Sequence, residues 1–221
     1  MSKTDKAVIF DMDGVIFDSE RLICDIWIDI ATENNMVNME KLMIDCVGLN
    51  DKATEEKFKE QYGEDYDYSY FKKISSKRYH DLADGGKLPK KPGVNELLEF
   101  LKENGYKTAL ASSTRVEVVT NQLREAGLIQ YFDFIIGGDM VSHSKPDPEI
   151  FLKAADGIEV DITTAYIVED SFNGIRAAYS AGAKPIMVPD MIEPDDEMRE
   201  KSHIILKDLL EVRDYLKANQ D

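Results

Sequence analysis

Five short apolar runs govern what this chain can fold into, at residues 7–10, 108–111, 134–136, 165–168 and 186–188. Each is too short for a helix and suits a buried strand. Amphipathic stretches at 94–104, 116–126, 148–155 and 172–181 separate them, with Gly105, Gly127 and Gly182 at the positions of helix C-caps. Asp147-Pro148 has the form of an N-cap followed by a first-turn proline. Strands alternating with helices of this length predict an α/β chain with a doubly wound parallel sheet.

One segment interrupts the alternation. Residues 18–88 contain no strand pattern and predict helices over 19–34, 39–46, 51–62 and 68–83. Asp51 is expected to cap the third of them. Gly85, Gly86, Pro89, Pro92 and Gly93 then crowd together as linker chemistry. The simplest organisation is a core of residues 1–17 and 89–221 with a helical cap, 18–88, inserted after the first strand. Trp27 and the aromatics of 62–79 are expected to form the core of that insertion.

The composition bounds the partners. A 43% apolar and 32% charged chain of 221 residues can build a packed core. A net charge of −16 opposes nucleic acid and anionic membranes. No apolar run reaches the length of a membrane span. The polar start does not resemble a signal peptide, and Cys24 and Cys46 have no metal or redox spacing, so the cytoplasm is the expected location. Monomer is the default state.

Polar groups follow directly on the strands. Asp11 and Asp13 follow the first, Ser112 and Ser113 the second, Asp139 and then Lys145 the third, Glu169 and Asp170 the fourth. In open parallel sheets the ligand crevice lies beyond the carboxyl ends of the strands, so these groups should converge. Four carboxylates together repel one another unless a cation intervenes, and an all-oxygen donor set beside a phosphate suits Mg²⁺. No Walker loop, HExxH or Ser-His-Asp set is present. A carboxylate nucleophile remains, and phosphoryl is its natural electrophile. On this reading Lys145 neutralises phosphoryl oxygens, Ser112 donates to them, and Asp13 moves the proton.

The motifs Asp11-Met-Asp13-Gly14-Val15, Ser112, Lys145-Pro146 and Glu169-Asp170, in this order and each after a strand, resemble the haloacid dehalogenase superfamily. The helical insertion resembles that of its beta-phosphoglucomutase-like branch. The resemblance implies a Rossmann-like core, Asp11 as nucleophile and Mg²⁺ ligand, and Asp13 as acid/base with its carbonyl on the metal. It further implies Ser112 and Ser113 at the phosphate, Lys145 bracing Asp11, Asp170 as a direct ligand and Glu169 as a second or water-mediated one. The acid at position 13 argues against carbon–halogen cleavage. The expected activity is a phosphatase acting on small phosphorylated metabolites, sugar phosphates foremost, through an aspartyl-phosphate. A phosphosugar mutase is the alternative. Such enzymes carry a His where this chain has Ile23, and an Arg near the position of Asp51. A non-catalytic binding protein on the same fold is a further alternative. Asn50, Lys52, His80 and Arg115 are the expected substrate contacts.

Overall fold

The computed structural model describes residues 6–47, 49 and 51–219. Its six strands are β1 (Ala7–Phe10), β2 (Lys107–Ala111), β3 (Phe134–Ile136), β4 (Tyr166–Glu169), β5 (Lys184–Met187) and β6 (Ile204–Ile205). They form one parallel sheet in the order β3-β2-β1-β4-β5-β6. The order reverses at β1, which lies between β2 and β4. That switch point is where an open α/β sheet leaves a crevice beyond its strand ends.

Strand alternation divides the core into two layers. Val8 and Phe10 of β1 point into a cluster with Leu97 and Leu101 of α5 (Val94–Glu103), Val119 and Leu123 of α6 (Val116–Glu125), and Val212 of α10 (Leu209–Ala218). Ala7 and Ile9 point the other way, toward Phe151 and Ala154 of α7 (Glu149–Gly157) and Ala177 of α8 (Phe172–Ser180). All four β1 residues are fully buried, as expected of a central strand covered on both faces. A short helix, α9 (Asp196–Lys201), completes the order before β6. Gly105, Gly127 and Gly182 take positive φ of 68°, 69° and 78° at the helix ends where the sequence placed them.

Between β1 and α5 lie four helices: α1 (Ser19–Glu33), α2 (Met39–Cys46), α3 (Asp51–Tyr62) and α4 (Tyr68–Ala83). They bury a core of their own. Trp27 stacks on Tyr68 with ring centroids 5.9 Å apart and an interplanar angle of 12°, and meets Phe58 edge-on. Asp51 does not serve as the expected cap. Its carboxylate instead accepts from Lys72 at 2.5 Å and Tyr68 Oη at 3.1 Å, tying the start of α3 to α4. The chain crosses into and out of this helical segment side by side: Asp18 N donates to Pro89 O at 2.9 Å and Lys91 N to Ile16 O at 2.9 Å.

Candidate active site

β1 delivers Asp11 to the switch point, and Asp11 N still pairs with Val168 O at 3.0 Å. The next residues turn sharply. Gly14 has φ +77°, a conformation that costs a side-chain-bearing residue energy, and its N–H reaches Phe17 O at 2.9 Å. A Cβ at Gly14 would also strike the Asp170 carboxylate. The turn therefore brings the ends of β1 and β4 into contact.

Three hydroxyls fix Asp13. Ser19 Oγ donates to Oδ1 at 2.6 Å, Thr114 Oγ1 to Oδ2 at 3.2 Å, and Ser112 Oγ lies 3.5 Å from Oδ2. Ser112 is fully buried, and its Oγ accepts from Thr114 N at 3.0 Å, holding the turn after β2. Ser113 and Thr114 face the open space above it.

Lys145 connects three strand ends. Its ammonium donates to Asp11 Oδ1 at 2.5 Å, Glu169 Oε1 at 2.8 Å and Ala111 O at 3.1 Å, over the Phe151 ring. Three donors thus meet three acceptors in a side chain only 6% exposed. Burial disfavours the charge, but Asp11 and Glu169 outweigh it and push the ammonium pKa up, so Lys145 stays cationic. The Lys145 loop is held by Glu149, which accepts from Ser142 N at 3.0 Å and His143 N at 2.9 Å.

Both Glu169 oxygens are engaged. Oε1 takes Lys145, and Oε2 accepts from Asp170 N at 2.9 Å, Ser171 N at 2.9 Å and Ser171 Oγ at 3.0 Å. Asp170 is buried beside Glu20 and Asp190, two acids that the sequence reading did not select. Asp190 follows β5 and obeys the strand-end rule. Glu20 sits on α1, and only the docking of that helix brings it in.

Burial pushes the Asp11 carboxyl up to about 8 against the pull of Lys145, with Glu169 and Asp13 adding repulsion. Burial first, then Glu169 and Glu20, push Asp170 well above the carboxylate range. Burial and the Asp13 charge push Glu20 up to about 7. Such a group is disfavoured as bare anions. It also contains two buried oxygens with no partner among the described residues, Glu20 Oε2 and Asp190 Oδ2. An all-carboxylate set short of positive charge fits a hard divalent cation.

These groups open into a cavity of about 590 Å³ between the strand ends and the helical segment. Ser19, Ile23 and Trp27 of α1 and Lys72, Ser75 and Tyr79 of α4 form its far wall. Of the expected substrate contacts, Lys52, His80 and Arg115 do not line this cavity. Tyr68, Lys72, Ser75 and Tyr79 follow the helical repeat along one face of α4, whereas His80 is rotated off that face and pairs with Asp84 at 3.2 Å. Lys52 is solvated beside Glu56, and Arg115 precedes α6 outside the lining. Asn50 falls outside the described residues.

The family model of the haloacid dehalogenase-like hydrolases matches residues 8–188. The chain belongs to that family. It is similar to the phosphorylated carbohydrates phosphatase of Thermotoga maritima, 34% identical over 182 residues, which span 82% of this chain and 83% of that one. Hexitol phosphatase B of Escherichia coli K12 is 28% identical over 191 residues, 83% of each chain. A solved Thermotoga maritima structure of the beta-phosphoglucomutase type superposes with a TM-score of 0.77 at 31% identity, covering 96% of this chain and 99% of that one. The chain is an enzyme of the phosphatase type. Among the described residues no helix is long and apolar enough to cross a membrane.

Proposed function

We propose that this chain is a Mg²⁺-dependent phosphatase of small phosphate monoesters, phosphorylated sugars and polyols foremost, working through an aspartyl-phosphate on Asp11. The observation that carries the reading is Lys145 Nζ joining Asp11 Oδ1 and Glu169 Oε1 at the floor of the cavity. The ammonium orients the nucleophile and lies where phosphoryl charge develops. The relatives' names, a carbohydrate-phosphate and a hexitol phosphatase, support the substrate class, as does a wall that mixes aromatic and hydroxyl side chains.

The free Oδ of Asp11 attacks phosphorus as the ester P–O bond breaks, and Asp13 gives a proton to the leaving alkoxide. Asp13 then takes a proton from a water that attacks the phosphorus of the acyl phosphate. Asp11 and inorganic phosphate are regenerated, and the protons balance over the cycle. Ser19 and Thr114 aim the Asp13 carboxyl during both transfers. Asp11, Asp170 and the Asp13 carbonyl would hold the cation, which when bound favours ionised Asp11 and neutralises phosphoryl oxygens. Glu169 would serve beside them as the anchor of Lys145 and the β4 turn.

Residues 18–88 act as a cap over a core of 1–17 and 89–221, hinged at the paired crossings near 16–19 and 85–92. A panel of hexose, pentose, hexitol and glycerol phosphates with and without Mg²⁺ tests the activity, with Asp11→Asn beside it. Mg²⁺-dependent phosphate release that Asp11→Asn abolishes is the expected result. Isomerised sugar phosphate without release would overturn the hydrolase reading in favour of a mutase.

A further inference from the structure

Three acids from three separate elements meet beside the nucleophile: Asp170 after β4, Glu20 in the first turn of α1, and Asp190 after β5. One oxygen of each lies within 4.8 Å of the other two. An ion with oxygen ligands at about 2.0–2.6 Å fits inside such a triangle.

A second observation is independent of that proximity. The Asp190 side chain is 2% exposed, and only one of its oxygens is satisfied: Oδ1 accepts from Lys91 Nζ at 2.6 Å, and Oδ2 is buried with no partner. Oε2 of Glu20 is buried and unpartnered as well. The neighbouring Glu169 shows how this chain satisfies a buried carboxylate, with four donors on its two oxygens. Buried polar atoms are satisfied as a rule, and unsatisfied ones point to an ion or a function. The nearby cations do not fill this role, because the Lys91 ammonium is directed at Asp190 Oδ1 and, at 3.4 Å, at Asp18 Oδ1, and Arg21 approaches the same Asp190 Oδ1, at 4.0 Å.

We propose that Glu20 and Asp190 bind the divalent cation together with Asp170, directly or through its water. This rests on the metal reading given above and adds two ligands that the motif pattern does not contain. It also gives the ion a reach into the helical segment. Glu20 stands two residues beyond Asp18, whose N–H holds Pro89 O and whose carboxylate shares Lys91 with Asp190. Ion, Lys91 and the two crossings then form one connected unit, so that cation binding secures the entry of α1 against the core.

The test is Mn²⁺ binding to the full chain without substrate, read from the paramagnetic resonance signal of free Mn²⁺, for wild type, Glu20→Gln, Asp190→Asn and Asp170→Asn. The expected result is a loss of about tenfold or more in affinity for Glu20→Gln and for Asp190→Asn, and no measurable site in Asp170→Asn. Wild-type affinity in the first two with loss in the third overturns this proposal and leaves the phosphatase reading standing. Wild-type affinity in all three overturns both. Melting separates ligation from a structural role. Glu20→Gln removes an unpaired buried charge, so its metal-free melting temperature should not fall, while the rise produced by Mn²⁺ should shrink. A lower metal-free melting temperature with the full Mn²⁺ rise would also overturn the proposal.

Discussion

Gly174→Ala puts the architecture behind Asp11 to a sharp test. Gly174 lies in α8 with ordinary helical backbone, so helix propensity alone favours alanine by up to about 1 kcal/mol. Packing opposes it, because a Cβ there would fall on the Glu169 carboxylate. A carboxylate at the tip of a flexible side chain normally swings away at little cost, but this one is held by Lys145, two backbone N–H groups and Ser171 Oγ. Displacing it leaves the buried donors Asp170 N and Ser171 N short of an acceptor, about 1–3 kcal/mol each. It also takes from Lys145 one of its two carboxylates. With the helix gain subtracted, a net loss of roughly 1–5 kcal/mol is expected, or a melting temperature roughly 2–20 °C lower for a chain of this size. Turnover should fall further than stability, since Lys145 no longer has Glu169 to fix it against Asp11. The assay is thermal unfolding with initial rates on the best ester of the panel, run as a cycle with Glu169→Ala. Once Glu169 is gone, Gly174→Ala should be neutral or stabilising by up to about 1 kcal/mol. A single Gly174→Ala variant that melts and turns over like wild type would refute the reasoning.

Two further predictions concern the same floor. Gly14→Ala meets both a positive φ and the Asp170 carboxylate, so it should cost about 1–3 kcal/mol of backbone strain and abolish Mn²⁺ binding in a chain that still folds by circular dichroism. Glu149, which holds the Lys145 loop, has its carboxyl lowered to about 2 by Lys153 and by the Ser142 and His143 N–H groups. A lowered value means that its stabilisation is complete above the unfolded value of 4.5 and is lost as pH falls through about 2. The gap in melting temperature between wild type and Glu149→Gln should therefore be constant near neutrality and close between pH 4.5 and 2. A gap that persists at pH 2 would count against the charge as its source.

The convergence of the strand-end acids with Lys145 was legible in the sequence because strand ends need no side-chain geometry to converge. Asp11 and Lys145 are 134 residues apart, yet both follow strands of one parallel sheet, and the crevice rule alone brings them together. The same rule reached Glu169 and Asp170 and, applied once more after β5, would have reached Asp190. The sheet accepts Pro185 within β5, which starts at Lys184, and Pro185 O receives His203 N at 2.8 Å. The two-residue strand β6, half-buried at the sheet edge, and the helices α9 and α10 around it gave too little pattern to be selected. The cavity wall failed to read for a different reason. Periodicity tells which residues of a helix share a face, but not which face turns toward a neighbouring domain. On α4 the choice between the stripe of Lys72, Ser75 and Tyr79 and the side that carries His80 is a rotation of about one residue, 100°. Docking decides it: Trp27, Phe58 and Phe71 bury the adjacent flank of the bundle, and Lys72 is drawn to Asp51. The strand-end groups are thus placed by the order of the strands, while the lining of the cavity wall depends on how one helix is rolled against another. Glu20 belongs with the second kind, a residue of the helical segment that joins Asp170 and Asp190 only because α1 lies where it does.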